Sequence, residues 1–136
     1  MAFTHGKDSV FKLDNASGSL TDISTYINNV DFPATSDIAE TTTLGADSKT
    51  YIVGLKDATI SFAGLWDATF DAIAGVVRGQ SATLSFEYSP EGTSSGKVKY
   101  TGEAVMTNYA VSSPVGDVVA YSCDLQVSGD VTRATH

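Results

Sequence analysis

The sequence has one cysteine, Cys123, among 136 residues. A single cysteine cannot form an internal disulfide, which excludes the disulfide-rich scaffolds of small secreted domains. The chain also lacks an apolar run of about 18 residues, and its beginning, MAFTHGKDSVF, has no apolar signal core. We therefore expect no membrane partner, no secretory signal and synthesis in the cytoplasm.

Positive charge is scarce. Eight Lys and Arg residues stand against sixteen Asp and Glu residues, which gives a formal net charge of -8. Because an acidic surface repels phosphate groups, the balance argues against groove-reading of nucleic acid and against docking on anionic lipid. The length predicts a single domain over residues 1–136.

Residues suited to catalysis are also few. The two histidines, His5 and His136, lie near the two ends, and neither has a neighbour at metal-ligand spacing. Cys123 falls on the apolar positions of an alternating run, which predicts a small buried side chain. The sequence contains neither a phosphate-binding glycine loop nor a nucleophile-elbow serine. We expect no enzymatic activity, no cofactor and no metal site.

Most of the chain alternates between apolar and polar residues, the pattern of strands with one buried face. The longest such run places Val119, Tyr121, Cys123, Leu125 and Val127 on one face. Three segments rich in turn-forming residues separate the runs: Asp14–Ser19, Ser89–Gly96 and Ser112–Asp117. Between Val98 and Val111 the apolar residues change parity, which predicts a bulge near Gly102.

One segment has the period of a helix. We predict an amphipathic helix from Asp67 to Arg78, with Asp67 as N-cap and Gly79 at its C-terminal end. Its apolar, packing face comprises Phe70, Ile73, Val76 and Val77. Trp66, at the preceding junction, is predicted to pack in the core. The fold class is therefore mainly β, a β-sandwich or partial barrel with one flanking α-helix.

A long connection separates two predicted strands. It comprises Leu44, Gly45, Ala46, Asp47, Ser48, Lys49, Thr50, Tyr51, Ile52, Val53, Gly54 and Leu55. A hairpin needs only about two to five connecting residues, and longer loops are usually functional or disordered. The centre of this connection carries the apolar residues Tyr51, Ile52 and Val53.

The order of these features resembles a known family. GKDSVFKLDN leads into LTDIS, then AETTTLGADSKTYIVGLKDATISFAGLWD leads into the helix, and two long strands end in VSGDVTRA. This order resembles the major tail tube proteins of long-tailed bacteriophages and of phage-like particles such as gene transfer agents. The resemblance covers nearly the whole chain and is most specific between Thr41 and Asp67.

The resemblance implies a structural role in a virion tail. Members form hexameric rings whose inner sheets join in one β-barrel, and a long loop, here Leu44–Leu55, stacks each ring on the next. Tape-measure, terminator and tip proteins are the implied partners, and DNA passes through the channel without specific binding. No C-terminal immunoglobulin-like extension is expected.

An acidic channel wall would let DNA slide without sticking, since it repels phosphates. The sequence offers two sets of channel-facing candidates, one before the long connection and one on the last strand. They are Asp37, Glu40, Thr41, Thr43, Ser122, Asp124 and Gln126.

Two other functions fit less well. The chain could form the inner tube of a contractile tail or of a secretion system, which the sequence hardly distinguishes from a long-tail tube. A carbohydrate-binding β-sandwich would require an exposed aromatic platform, with Trp66 facing solvent.

Overall fold

A computed structural model describes residues 3–80 and 82–136. It contains one α-helix, two 3-10 turns and eight strands. The elements are the turns Gly6–Asp8 and Ser24–Tyr26, the helix α1 (Ala68–Ala74), and the strands β1 (Val10–Asp14), β2 (Leu20–Asp22), β3 (Asn29–Asp31), β4 (Ala34–Glu40), β5 (Tyr51–Leu65), β6 (Leu84–Ser89), β7 (Val98–Ser112) and β8 (Ala120–Thr135).

The eight strands form one antiparallel sheet in the order β2-β1-β6-β7-β8-β5-β3, and β4 pairs with β5 on the same side as β3. The sheet curls over so that its two halves pack face to face, with the Phe11 ring of β1 centred 5.2 Å from the Phe62 ring of β5. The sheet does not close. The predicted class, a mainly β sandwich or partial barrel with one helix, is confirmed.

Strand alternation follows the sequence pattern. On β8, Tyr121, Cys123, Leu125 and Val127 are buried, whereas the residues between them are more exposed. The three predicted turns lie between β1 and β2, between β6 and β7, and between β7 and β8. The glycine-rich turns suit these sharp connections because glycine tolerates a positive φ, as at Gly18 with φ 80°.

The predicted bulge near Gly102 is present. The pairing of β7 with β8 shifts register between Thr101 and Glu103, and shifts again between Met106 and Asn108. A Cβ atom at Gly102 would lie 3.1 Å from the Phe86 ring and 3.1 Å from the Asp130 carbonyl oxygen. A larger residue would therefore be crowded where β7 crosses the core at close range.

The helix is shorter than predicted. Asp67 is the N-cap, and its carboxylate accepts a hydrogen bond from the Thr69 backbone nitrogen at 2.7 Å. The helix ends at Ala74 with Gly75 as its C-cap, so the predicted end at Arg78 is wrong. Because the chain turns after Gly75, the helical period no longer determines which side chains are buried.

Three of the four residues predicted for the packing face lie in or against the core. Phe70 and Val77 are buried, and Ile73 packs against the core. Val76 is 58% exposed, so its assignment to the packing face is wrong. Ala74, which the sequence pattern missed, is buried instead.

Neighbouring valines provide a matched test of this packing. Val77→Ala should lower the free energy of unfolding by about 2 kcal/mol, because it removes two buried methyl groups and leaves a cavity. Val76→Ala should change it by less than about 0.5 kcal/mol. Urea unfolding followed by circular dichroism measures both. Equal effects would mean that the turn after Gly75 is placed incorrectly.

Tyrosines join the helix to the sheet. The Phe70 ring stacks on Tyr121 with the ring centroids 4.1 Å apart. The Tyr109 hydroxyl donates a hydrogen bond to Asp71 at 2.8 Å, and the Tyr121 hydroxyl donates one to the Tyr26 carbonyl at 2.7 Å. Trp66 is partly buried and packs against the same cluster, as predicted.

These buried groups predict loss of stability at alkaline pH. Burial, followed by the hydrogen bond and charge of Asp71, raises the pKa of Tyr109 from 10.0 to about 12, and burial raises the pKa of Cys123 from 9.0 to about 12. A raised pKa means that folding favours the neutral form, so this stability is complete below about pH 9 and is lost as the pH rises towards 12.

The free energy of unfolding, measured in urea across this range, should therefore fall. Tyr109→Phe and Cys123→Ala should each make the fall shallower, because each removes one titrating group. A fall of unchanged steepness in both variants would contradict the assignment.

Candidate assembly and channel surfaces

Residues 34–57 form an arm that extends from the core. The arm consists of β4, the first half of β5 and their connection, and each of its residues is exposed. Buried residues of β5 begin at Ala58. The arm is therefore held by its own strand pairing and by its continuity with the rest of β5, not by packing against the core.

The connection in the arm is shorter than the predicted Leu44–Leu55. It comprises residues 41–50, and Tyr51 to Leu55 belong to β5. Tyr51 pairs with Glu40 and Val53 pairs with Ile38. The run Tyr-Ile-Val has high strand propensity, and that signal could have corrected the boundary. Gly54 lies where the register shifts, and a Cβ there would be 3.2 Å from the Asp37 Cβ.

The arm exposes many large apolar side chains. They are Ile38, Leu44, Tyr51, Ile52, Val53 and Leu55. The exposed fraction ranges from 49% for Tyr51 to 104% for Leu44. Exposed apolar residues grouped on one projecting element mark an interaction surface.

A second surface is the side of β4, β5, β8 and the distal half of β7 that faces away from the core. We call it the polar face. Asp124 accepts hydrogen bonds there from Ser61 at 2.9 Å and from Asn108 at 3.2 Å. Asp57 accepts one from Gln126 at 2.8 Å. Neutral donors therefore fix both carboxylates in place.

Strand parity and pairing define the rest of the polar face. Its members are Thr35, Asp37, Ala39, Ile52, Asp57, Thr59, Ser61, Ala63, Leu65, Val105, Asn108, Ala110, Ser112, Ala120, Ser122, Asp124 and Gln126. Three of these residues are aspartates, and none is Lys or Arg. The face therefore has one sign of charge.

Four of the seven predicted channel residues share this face: Asp37, Ser122, Asp124 and Gln126. Thr35 pairs with Asp57, which bonds Gln126, and Asp37 lies two residues beyond Thr35. Side chains alternate along a strand, so Asp37 lies on the same side as Gln126.

The other three candidates do not join them. Glu40 lies three residues from Asp37 on the same strand and so points to the opposite side, with a carboxylate oxygen 4.0 Å from the Lys49 amine. Thr41 and Thr43 lie in the connection beyond β4. Asp57 and Asn108 carry no signal in the sequence that marks them as channel candidates, because only the strand pairing places them beside Gln126 and Asp124.

Two of the open strand edges in the described chain belong to β7 and β4. Beyond Ala104, β7 pairs only with β8, so residues 105–112 have one unpaired edge. On the other side of the sheet, β4 pairs only with β5. Unpaired edges of this length invite pairing with another chain.

The remaining candidate residues have structural contacts. The His5 ring accepts a hydrogen bond from the Lys7 backbone nitrogen, and the His136 ring lies 2.9 Å from the Ser89 hydroxyl. Among the described residues, no group of His, Cys, Asp and Glu is arranged to hold a metal ion. None of the helices described has the length and hydropathy needed to cross a membrane.

The fold resembles those of solved tail tubes. A gene transfer agent tail, refined with C6 symmetry, aligns with a TM-score of 0.81 at 18% identity over 98% of this chain and 100% of that chain. The SPP1 tail tube aligns with a TM-score of 0.78 at 14% identity, over 98% and 80%.

A contractile assembly has the same fold. The sheath–tube complex of PVC, an extracellular contractile injection system, aligns with a TM-score of 0.70 at 14% identity, over 98% and 93%. No curated protein matches the sequence. The profile of the phage tail tube protein family, however, matches residues 3–133, which is nearly the whole chain. The chain therefore belongs to the phage tail tube protein family.

Proposed function

We propose that six copies of this tail tube protein close into a ring around a channel, and that the rings stack into the tube through which DNA leaves the virion. The open edges of β4 and β7 carry this proposal. The order β7-β8-β5-β4 is antiparallel throughout, so β4 of one copy meets β7 of the next in the same alternating direction.

The lengths of the two edges also agree. The free part of β7 spans eight residues, 105–112, and β4 spans seven, Ala34–Glu40. Six copies with four strands each would give a barrel of 6 × 4 = 24 strands, in which every open β4 and β7 edge is paired. The six-fold symmetry is that of the gene transfer agent tail, and this chain has the same fold.

The offset between the edges fits a tilted barrel. Strand pairing places Tyr109 of β7, Cys123 of β8, Phe62 of β5 and Val30 of β3 on one line across the sheet. The middle residue of β4, Asp37, is displaced from that line by 37 − 30 = 7 residues along the chain. A displacement of seven residues, at a rise of about 3.3 Å per residue, over the width of four strands, at a spacing of about 4.8 Å, corresponds to a strand tilt of about 50° from the barrel axis. Known barrels have tilts of about 35–45°.

The same estimate gives a barrel about 57 Å across between backbones, which leaves room for a DNA duplex after side chains are added. The polar face would line this channel, because the opposite face of the sheet is covered by the core and α1. Three aspartates per copy give 3 × 6 = 18 carboxylates per ring, and these would repel the phosphates of passing DNA.

The arm supplies the contact between rings in this proposal. Its tip, residues 41–50, lies furthest along β5 from the core, and the apolar residues from Tyr51 to Leu55 would be covered by the next ring. Tape-measure and terminator proteins would occupy the channel and the end of the tube. We favour a long non-contractile tail, since the gene transfer agent and SPP1 tubes align with higher TM-scores than the contractile tube.

Electron microscopy tests the proposal directly. Purified protein, concentrated and negatively stained, should show six-fold rings or tubes with a central channel. Because apolar contacts and strand pairing drive assembly, tubes should persist in moderate salt. Monomers alone at the highest soluble concentration, across a range of salt, would contradict self-assembly.

A further inference from the structure

A cleft lies between the base of the arm and the body of the protein. Its volume is about 420 Å³. Three aromatic residues, Phe32, Tyr88 and Tyr100, form one wall, where the Phe32 ring is centred 6.1 Å from Tyr88 and 5.8 Å from Tyr100. Ala34 and Val131 also line it. The cleft is therefore apolar at its base and remains open in the single chain.

Two cations lie at the same cleft, Lys56 and Arg133. Among the described residues, neither has a carboxylate within salt-bridge distance, although Asp57 and Asp130 are also lining residues. An occupant with one apolar side chain and one carboxylate would complement the cleft.

The turn between β7 and β8 has this chemistry. It carries Val115, which is fully exposed at 108%, and Asp117, whose carboxylate accepts a hydrogen bond from the adjacent Val118 backbone nitrogen at 2.8 Å. Pro114 precedes Val115 and stiffens the turn, which reduces the entropy lost on docking. Residues 113–118 of this turn are all exposed.

Strand register brings this turn to the cleft of a neighbouring copy. If β4 pairs antiparallel with the neighbour's residues 105–112 and the polar faces of both copies stay on one side of the sheet, Thr35 near the start of β4 faces the neighbour's Ser112. The neighbour's turn then continues alongside Phe32 and Pro33, directly beside the cleft. The inference rests on the ring proposed above.

We propose that the cleft receives the β7–β8 turn of the adjacent copy in the ring, with Val115 against the aromatic wall and Asp117 near Lys56 and Arg133. This contact, which we call the lock, adds side-chain contacts between neighbouring copies to the backbone pairing of the open edges. It also sets the register, because a strand slipped by two residues would move Val115 out of the cleft.

Cross-linking tests this placement. Ala34→Cys combined with Val115→Cys should be linked by a short bis-maleimide into covalent dimers up to hexamers in assembled tubes, and neither single variant should be linked. Cys123 can remain, because it is fully buried. A second pair, Asp37→Cys with Asn108→Cys, reports the β4–β7 pairing by itself.

The two pairs separate the two proposals. Links from both pairs support the lock. Links from the Asp37 and Asn108 pair alone would overturn the lock and leave the ring intact. Links from neither pair, or an absence of tubes from the wild-type protein, would overturn both. In an independent measurement, Val115→Asp should raise the concentration needed for assembly at least tenfold, whereas Val115→Ile should leave it nearly unchanged.

Discussion

Tubes assembled from an Asp37→Lys, Asp124→Lys double variant should bind DNA inside the channel, whereas wild-type tubes should not. Each copy changes by +4 charges, so a ring of six gains 6 × 4 = 24. Both residues lie on the polar face, which has no lysine or arginine to begin with. The substitution therefore reverses the sign of the charge that the proposed channel presents to phosphates.

The effect should depend steeply on salt, because lysines that bind phosphates release counterions. If six to ten lysines engage a duplex, its affinity should fall by about 10³–10⁵ between 50 and 200 mM salt. Retention of a labelled short duplex by sedimented tubes measures this. In complete particles, the same variant should eject DNA slowly in low salt and at a normal rate in high salt.

A matched variant controls for charge alone. Asp8→Lys with Glu91→Lys makes the same change in net charge at the outer end of β1 and β6. It should bind far less DNA inside the tube. Equal retention by both variants would mean that the polar face is not the channel wall, even if tubes form.

The second large effect concerns the arm. Ile38→Asp with Val53→Asp should abolish tube formation and leave the monomer folded. The two residues face each other across β4 and β5 and are 63% and 73% exposed, so the isolated chain loses little packing. In a tube, the same carboxylates would have to be buried together without a partner, which is strongly unfavourable.

Urea unfolding should give a free energy within about 0.5 kcal/mol of wild type for each substitution, and electron microscopy should show no tubes. Leu20→Asp with Val76→Asp, at exposed apolar positions outside the arm, should assemble normally. Hydrogen exchange in the wild type should be fast for residues 41–50 in the monomer and slow in the tube. Normal tubes from the arm variant would remove the arm from the interface.

The sequence predicts the strands and turns well because each depends on local chemistry. The alternation of Tyr121, Cys123, Leu125 and Val127 and the glycine-containing turns are both local signals. The helix end was less predictable. Val76 and Val77 have equal hydrophobicity, and only the turn after Gly75 determines that one is buried and the other exposed.

The surfaces depend on pairing between distant segments, which periodicity does not reveal. Asp37 and Glu40 are three residues apart on β4, so their side chains point to opposite sides of the sheet, and the sequence alone indicates this. The position of Asp37 beside Gln126 required the pairing of β4, β5 and β8. The open edges likewise follow from where β6 stops along β7, a property of the whole sheet.

The continuity of β5 has a mechanical consequence. Its fifteen residues run without interruption from the arm, through the core, to the start of the helix segment. In a stacked tube, tension between rings would pull β5 along its own axis. The hydrogen bonds between β5 and β8, which join seven residue pairs from Thr59 to Leu65, lie across the direction of this pull. They would therefore be loaded in shear and would have to break together, not one after another. The register shift at Gly54 gives the arm a bending point outside that region, so a tail could flex while its rings stay joined.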